Sequence, residues 1–278
     1  MALSFFLPSR RLVSMAPEIQ YAPPSGKPLG NNKYFAFGAS ILIPLLRLLT
    51  KRDWRGVENI PQSGPVIVIC NHISYADPLV FADFLFSNGR APRFIGKESV
   101  FKIPVIGKII SGSGQIPVSR ESKEASKALD HAKALLNAGH CLGVYPEGTL
   151  TRDPELWPQV AKTGIARLAI QTRVPVIPCA QWGDQTLLPR YSSKLVFWKR
   201  HKITLVAGAP LDFSKWYGRE DDQEALIEAT AYAMSMLRTM LEDIRGESAP
   251  KEIFDPHNSN LPRVGNFVKA EKKKRSKK

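Results

Sequence analysis

The segment that most constrains the fold is a short, wholly apolar run at residues 66–70, followed by a loop and an apolar helical run at residues 79–86. The run Val66-Ile-Val-Ile-Cys70 follows a Gly-Pro break and has no polar position, which is typical of a strand buried on both faces. Similar strands alternate with amphipathic helices along the rest of the chain. The sequence therefore predicts an α/β fold: a single domain with a mixed, mostly parallel sheet flanked by helices.

The other predicted elements follow from the same periodicities. Strands are predicted at residues 93–96, 115–118, 141–145, 174–182 and 202–207, where short apolar runs are bounded by turn residues. Further helices are predicted at residues 104–110, 123–138, 162–172 and 221–244. No repeat or change in composition divides this region, so we expect one domain over residues 54–245.

Three segments outside this domain differ in composition. Residues 1–33 are rich in Pro, Gly and Ser, and residues 246–278 form a basic tail, so we expect both ends to be disordered. Residues 34–53 combine an apolar run too short to span a bilayer with a basic end, which predicts an interfacial, membrane-associating helix. Simple packing of this helix on the core is the alternative.

Charge and cysteine content limit the partners and the compartment. The net charge is +14, and the last sixteen residues carry eight Lys or Arg and one Glu, which suits an anionic membrane surface or nucleic acid. The three cysteines, Cys70, Cys141 and Cys179, lie scattered in strand-like runs, which favours a reducing compartment and argues against a disulfide framework or a metal site.

The loop after residues 66–70 contains a histidine and, five residues later, an aspartate. A neutral imidazole such as that of His72 can accept a proton at neutral pH, and a carboxylate on its other nitrogen fixes the tautomer. Asp77 precedes Pro78, which predicts that Asp77 is the N-cap of the next helix. Asp77 is then expected to use one oxygen for the cap and the other for His72. The alternative is that Asp77 only caps the helix and His72 only bonds a backbone carbonyl.

Polar groups also follow the other predicted strands. Ligands of open α/β sheets gather at the carboxyl ends of the strands. A base, several cations and a glycine turn suit a substrate with a nucleophilic hydroxyl and a phosphate. The candidate substrate-binding residues on this ground are Asn71, Lys97, Arg120, Glu147, Gly148, Thr149 and Arg152.

Four ordered segments resemble the motif blocks of the glycerolipid acyltransferase family, whose best-known members are the 1-acylglycerol-3-phosphate acyltransferases. Their order, spacing and flanking strands match. The family usually has Arg directly after the Glu-Gly-Thr of the third block, whereas this chain has Leu150 there and Arg152 two residues later. The four segments are Asn71-His-Ile-Ser-Tyr-Ala-Asp77, Gly114-Gln-Ile-Pro-Val-Ser-Arg120, Tyr145-Pro-Glu-Gly-Thr149 and Val174-Pro-Val-Ile-Pro178.

The resemblance implies a reaction and a role for several residues. His72, held by Asp77, would remove the proton of a glycerol hydroxyl, which attacks the thioester of acyl-CoA or acyl carrier protein without an acyl-enzyme. Arg120, Glu147 and Gly148 would bind the glycerol phosphate. Ser74 of the first block is a further substrate-binding candidate, and Pro178 would shape the site.

The resemblance also implies the acceptor and the location. The expected product is phosphatidate, made from lysophosphatidate in phospholipid biosynthesis, with glycerol-3-phosphate or another lysolipid as the alternative acceptor. No cofactor and no metal are expected. The protein is expected to be peripheral or monotopic at the cytoplasmic face of a membrane.

The sequence is compatible with two other classes of function. Cys70 lies two residues before His72, and a Cys–His pair is able to form an acyl-thioenzyme in a hydrolase or transferase. A buried thiol is inert, however, and the strand predicts that Cys70 is buried. The third class is a basic protein that binds nucleic acid through its tail, and it is not favoured, so no nucleic acid is expected as a partner.

Overall fold

The computed structural model describes residues 21–118 and 122–259. Seven strands form its sheet: Thr50–Arg55 (β1), Val66–Cys70 (β2), Arg93–Lys97 (β3), Ile116–Val118 (β4), Cys141–Val144 (β5), Val176–Trp182 (β6) and His201–Ala207 (β7). The helices are Lys33–Leu49 (α1), Asp77–Ser87 (α2), Glu98–Phe101 (α3), Ile106–Gly112 (α4), Ser122–Asn137 (α5), Gly164–Thr172 (α6), Asp184–Leu187 (α7) and Gln223–Arg245 (α8).

The sheet is mixed and mostly parallel, as the sequence predicts. Its strand order is β1-β7-β6-β2-β5-β3-β4, and β6 with β7 is the antiparallel pair. The central strand β2 pairs in parallel with β5 on one side and with β6 on the other. The carboxyl ends of these three strands therefore meet at one edge of the sheet, and the loops that follow them are neighbours.

Helices cover both faces of the sheet, so the residues of β2 are buried on both sides. Ile67 and Ile69 pack in a cluster that includes α5, α6 and α8. Val66, Val68 and Cys70 pack in a second cluster that includes α2 and the end of α1. Successive side chains of β2 point to opposite faces of the sheet, and all of them are buried. The fold therefore has three layers, with the sheet between two layers of helices.

The helix predicted at residues 34–53 is shorter than expected. It ends at Leu49, and residues 50–55 are the edge strand β1, paired in parallel with β7. The basic residues at its predicted end belong to this strand: Arg52 forms an ion pair with the buried Asp83 of α2. Local apolarity did not reveal the strand because its pairing partner, β7, lies about 150 residues later in the chain. The domain therefore begins before residue 54.

The two terminal segments are also more ordered than their composition predicts where the structure describes them. Leu29 donates to Gly89 O at 2.9 Å and accepts from Ala91 N at 2.9 Å, and Arg93 donates to Gly30 O at 2.7 Å. At the other end, Val160 N donates to Phe254 O at 3.0 Å. Tertiary hydrogen bonds therefore fix the backbone of both segments where the structure describes them. In the described part of the chain, no helix combines the length and apolarity needed to cross a bilayer.

Candidate active site

Three loops meet where the central strands end. His72 follows β2 by two residues, Glu147 follows β5 by three, and Asp184 follows β6 by two. Because β2, β5 and β6 are mutually parallel neighbours, this placement is set by the sheet. The candidate site therefore rests on rigid strands, with chemistry carried by short loops.

His72 and Asp77 form a hydrogen-bonded pair. His72 Nδ1 lies 2.9 Å from Asp77 Oδ2, and the same oxygen accepts from the backbone N–H groups of Ile73 at 2.6 Å and Ser74 at 2.8 Å. An ionised carboxylate only accepts hydrogen bonds, so Nδ1 carries the hydrogen and Nε2 is the acceptor nitrogen. No other described residue hydrogen-bonds the ring, so Nε2 is available to a substrate.

The expected division of labour between the two oxygens of Asp77 is wrong. Helix α2 begins at Asp77 itself, its N-cap position is Ala76, and no side chain caps it. All three donors converge on Oδ2, because the chain folds back so that the amides of residues 73 and 74 point at the carboxylate. The other oxygen, Oδ1, is buried and has no hydrogen-bond partner. Asp77 thus orients His72 and shapes the loop, and does not cap the helix.

Burial sets the protonation of this pair. The side chain of His72 is 15% exposed and that of Asp77 is fully buried. Burial lowers the pKa of His72 to about 3, so the ring is neutral at neutral pH. Burial raises the pKa of the Asp77 carboxyl, while the N–H groups of Ser74 and Ile73 oppose that rise. The resting site therefore presents a neutral imidazole with an acceptor nitrogen.

Tyr145 fixes the plane of the imidazole. Its ring stacks on His72 with centroids 4.2 Å apart and an angle of 24° between the planes. Phe81 and Phe94 pack on Tyr145 in turn, at 5.9 Å and 6.4 Å between centroids. The ring of His72 is consequently held on one side by an aromatic cluster and at one edge by Asp77.

Glu147 holds the backbone of the histidine loop. Its Oε1 accepts from His72 N at 3.0 Å and its Oε2 from Gln159 N at 3.3 Å. Thr151 N donates to His72 O at 2.7 Å, so both backbone groups of His72 bond the loop that follows β5. Burial raises the pKa of Glu147 to about 8. Both carboxyl oxygens face backbone amides, which is the geometry of a residue that positions a loop.

Gly148 and Thr149 form the exposed side of this loop. Gly148 closes a turn onto Tyr145 O at 2.9 Å with a φ of 66°, a conformation that favours glycine. A Cβ at this position would lie 3.2 Å from the side chain of Lys162. Thr149 is half-buried next to it. This pair is the part of the third block that faces outward.

The predicted cations have different positions. Lys97 ends β3 at the same edge of the sheet and is exposed. Arg152 is buried; burial raises the pKa of the neighbouring Tyr191 hydroxyl, and the positive charge of Arg152 opposes that rise. Arg120 lies outside the described residues. Arg190, which the sequence did not single out as a site residue, donates to Thr151 O at 2.9 Å and binds Asp153 O. Its only sequence signal is its position in the loop after β6.

Two of the substrate-binding candidates support the loop from inside. Asn71 is fully buried and exchanges two hydrogen bonds with the backbone of Gln181, at 3.0 Å and 2.8 Å. Ser74 donates to Leu188 O at 2.6 Å and accepts from Ala76 N at 3.0 Å. Their polar atoms are therefore engaged with the backbone, and they tie the histidine loop to the end of β6.

Pro178, which is expected to shape the site, lies in the sheet below the loops. Pro178 lies inside β6, paired with Ile69 of β2, and is buried. It packs against Gly208, and Gly208 N donates to Pro178 O at 2.8 Å. Because it lies in the strand and not at the strand's carboxyl end, it belongs to the core below the loops. Within residues 21–118 and 122–259, no three His, Cys, Asp or Glu side chains are grouped so that they could hold a metal ion.

Comparisons with known proteins find similarity to acyltransferases. Residues 51–182 match the family model described as Acyltransferase. The chain is 33% identical over 148 residues to a chloroplastic 1-acyl-sn-glycerol-3-phosphate acyltransferase of Brassica napus, covering 52% of this chain and 41% of that protein. It is 30% identical over 200 residues to a 1-acyl-sn-glycerol-3-phosphate acyltransferase of Chlamydomonas reinhardtii, covering 71% of this chain and 56% of that protein.

A solved structure resembles the fold over most of this chain. The crystal structure of the 1-acyl-sn-glycerophosphate acyltransferase PlsC from Thermotoga maritima superposes with a TM-score of 0.59 at 25% identity, covering 78% of this chain and 80% of that one. The chain spans about half the length of the curated relatives it matches.

Proposed function

Because residues 51–182 match the family model described as Acyltransferase, we propose that this chain transfers a fatty acyl group from a thioester to the free hydroxyl of 1-acyl-sn-glycerol-3-phosphate, giving phosphatidate. The observation that carries this proposal is the buried pair of His72 and Asp77. It supplies a neutral base whose acceptor nitrogen faces away from the carboxylate. The acyl donor is acyl-CoA or acyl carrier protein.

The chemistry is a direct displacement. The hydroxyl oxygen attacks the thioester carbonyl carbon while Nε2 of His72 takes the hydroxyl proton, and the resulting imidazolium is stabilised by Asp77. The tetrahedral intermediate then collapses, the C–S bond breaks, and the imidazolium returns the proton to the departing thiolate. Base catalysis supplies about 10²–10⁴ of the rate enhancement, and the alignment of two substrates supplies much of the remainder.

We assign the phosphate of the acceptor to cations around the site. Lys97 lies at the end of β3, and Arg152 with Arg190 lies on the side of the loop that follows β5. The resemblance of the second block adds Arg120. Glu147 contributes indirectly, since both of its oxygens are bonded to amides of the loops that carry His72 and Gln159.

The acceptor is tested with purified protein, oleoyl-CoA and three acceptors: lysophosphatidate, glycerol-3-phosphate and lysophosphatidylcholine. The expected result is transfer to lysophosphatidate with the highest kcat/KM. Transfer to lysophosphatidylcholine at an equal or higher kcat/KM would overturn the choice of acceptor, because the exposed phosphate monoester is what the cations select. Repeating the assay with oleoyl-loaded acyl carrier protein identifies the donor.

The acyl-thioenzyme alternative is disfavoured by the position of Cys70. Its side chain is fully buried in the cluster beneath α2, and its Sγ lies 3.9 Å from the Asn71 amide oxygen. Burial raises the pKa of this thiol well above its ordinary range, so it is not a nucleophile. We expect Cys70→Ala to retain acyl transfer, and its complete loss in a folded variant is the result that would favour the thioenzyme.

We also propose that the protein acts as a peripheral or monotopic enzyme at the cytoplasmic face of a membrane, because its lipid substrate resides there. Helix α1 buries Ala39, Leu46 and Leu49 against the domain, and presents an apolar stripe on its outer side. The members of the stripe recur every three or four residues and are exposed: Phe37, Ile41, Leu45 and Leu48.

The stripe continues onto α4, which packs on α1. Val105 precedes α4 and is 71% exposed, and Ile106 is exposed beside it. Lys33 and Lys108 line an open apolar groove of about 420 Å³ between the two helices. An apolar surface with basic groups at its border suits insertion among anionic lipid headgroups.

Vesicle flotation tests this location. The double variant Ile41→Glu/Leu48→Glu is expected to lose binding to vesicles that contain phosphatidylglycerol, because two charges then face the acyl region. Ile227→Glu is the matched control, since Ile227 is an exposed isoleucine on α8, away from this surface. Unchanged flotation of the double variant would contradict the proposal.

A further inference from the structure

Behind the pair of His72 and Asp77 lies a group of buried polar side chains that the reaction does not directly use. We call Asp77, Tyr145, Gln181 and Asp184 the buried polar layer. They contribute six buried side-chain atoms without hydrogen-bond partners: Asp77 Oδ1, the Tyr145 hydroxyl, both amide atoms of Gln181 and both carboxyl oxygens of Asp184. Each buried unpaired polar group costs roughly 1–3 kcal/mol, so a cluster of this size in a core requires explanation.

The chain fastens Asp184 to the histidine loop from both sides. Three residues earlier, the backbone of Gln181 exchanges two hydrogen bonds with Asn71. Four residues later, Leu188 donates to Asp184 O at 2.9 Å and accepts from Ser74 Oγ at 2.6 Å. Asp184 therefore lies between two attachments to the segment that carries His72 and Asp77.

The backbone before Asp184 is built to turn it inward. Gly183 has a φ of 112°, and a Cβ there would lie 2.1 Å from Lys202 O, so only glycine fits. Asp184 is fully buried, although it is the first residue of a four-residue helix where a carboxylate would ordinarily face solvent. Its side chain thus points into the protein and not toward the helix end.

The charges around Asp184 define its protonation. The titratable groups that act on it or share its surroundings are Cys70 from β2, Asp77 from α2, Tyr145 from the loop after β5 and Cys179 from β6. None of them is a cation, and burial together with the negative charge of Asp77 raises the pKa of Asp184. Asp77 has backbone N–H donors that favour the charged form of its carboxyl, whereas the described residues offer neither oxygen of Asp184 a hydrogen bond, so we assign the proton of this pair to Asp184.

We propose that Asp184 is a positioning residue for the proposed acyl transfer: its protonated carboxyl donates a hydrogen bond to the second oxygen of Asp77, directly or through a shared buried water molecule. Oδ2 of Asp77 already has three donors, whereas Oδ1 has no partner within hydrogen-bond distance, although the Gln181 side-chain amide is near enough to lower the pKa of the carboxyl. Asp184 thereby keeps Asp77 in its carboxylate form behind His72. Tyr145 and Gln181 complete the layer with further donors and acceptors.

The test compares two substitutions of Asp184 by acyl-transfer kinetics across pH. Asp184→Asn keeps a neutral donor and is expected to stay within about threefold of the wild-type kcat. Asp184→Leu removes the donor, so we expect a loss of kcat of about 3–15-fold with KM unchanged. Its acid limb should also move to higher pH by about half a unit, since the Asp77 carboxylate is less stabilised. Asp83→Asn, at another buried aspartate that is paired with Arg52, is the matched control and should leave the pH profile unchanged.

Infrared spectroscopy supplies a readout that does not depend on activity. Measured on Glu147→Gln, which removes the other carboxyl that is protonated at neutral pH, the protein should show a carboxylic-acid C=O band that the additional substitution Asp184→Asn removes. A retained band, or a Leu variant with the wild-type kcat and pH profile, would overturn the inference. The band reports Asp184 alone. A protein that shows the band but has no acyl-transfer activity would therefore refute the proposed function, while the inference that Asp184 is protonated would stand.

Discussion

Replacing Asp77 by Asn separates the charge of this residue from its role in shaping the loop. Oδ2 of Asp77 accepts from His72 Nδ1, Ile73 N and Ser74 N. In Asp77→Asn, the two backbone donors require an acceptor at this position, so the amide oxygen takes the place of Oδ2 and the amide nitrogen takes that of Oδ1. The tautomer of His72 is then preserved, and only the negative charge is lost.

The expected loss of kcat follows from one hydrogen bond, between His72 and residue 77, which loses its charged acceptor. A hydrogen bond to a charged group contributes about 1.5–3 kcal/mol, which corresponds to a loss of about 10–150-fold in kcat when the imidazolium forms without it. Where an Asn in such a pair inverts the histidine tautomer, the loss is about 10⁴-fold. Asp77→Ala leaves two buried amides unpaired and is expected to cost roughly 2–6 kcal/mol of unfolding free energy as well.

The assay is the steady-state kcat for transfer from oleoyl-CoA to lysophosphatidate, with chemical denaturation measured on the same samples. A loss of less than about threefold in Asp77→Asn would refute the role of the charge. A loss near 10⁴-fold in a folded protein would refute the argument that the backbone amides hold the oxygen in place.

Three further outcomes follow from Glu147, Gly148 and Arg245. The pKa of Glu147 is about 8 in the folded protein and 4.5 ordinarily, so between these values the folded state holds a proton that the unfolded state has lost, and the free energy of unfolding falls as pH rises. The pKa of His72 is about 3 in the folded protein and 6.5 ordinarily. Its contribution to the free energy of unfolding therefore rises with pH, but only below pH 6.5. The free energy of unfolding of the wild-type protein should therefore fall by about 2 kcal/mol between pH 6.5 and 8, and Glu147→Gln should not show this fall. Denaturant unfolding at the two pH values measures it. Gly148→Ala should cost about 1 kcal/mol or more from its positive φ, seen as a lower unfolding midpoint. Arg245 lies between the rings of Trp157 and Trp182, 3.7 Å and 4.2 Å from their centroids. Arg245→Gln should therefore lower the free energy of unfolding by about 1–2 kcal/mol. A change within about 0.5 kcal/mol would contradict a stabilising stack.

The central strand and its loop were predictable because their signals are local. An uninterrupted apolar run predicts a strand with both faces buried, and the strand extends over Val66–Cys70 as expected. Parallel neighbours of such a strand must bring their carboxyl ends together, which is why the loops that carry His72 and Glu147 meet. The pairing of His72 with Asp77 follows from five residues of sequence and one tight loop.

Other features depend on contacts between distant residues. β1 forms only because β7 offers an edge, and the segment of residues 50–55 resembles the end of an amphipathic helix when viewed alone. Arg190 and Asp184 follow β6 in a loop of ordinary composition, and only the folded chain shows that they lie beside the site. The missing helix cap at Asp77 has the same origin, since the competing amides of residues 73 and 74 become donors only once the loop has closed.

The central claim is that Nε2 of His72 is the base for direct acyl transfer. The measurement that tests it most directly is kcat for acyl transfer by His72→Ala, with His131→Asn as a control, because His131 lies on α5 and bonds Tyr21 away from the site. We expect His72→Ala to lose about 10²–10⁴-fold in kcat while its fold is retained, and His131→Asn to remain near the wild-type rate. A folded His72→Ala variant that works within tenfold of the wild type would contradict the account.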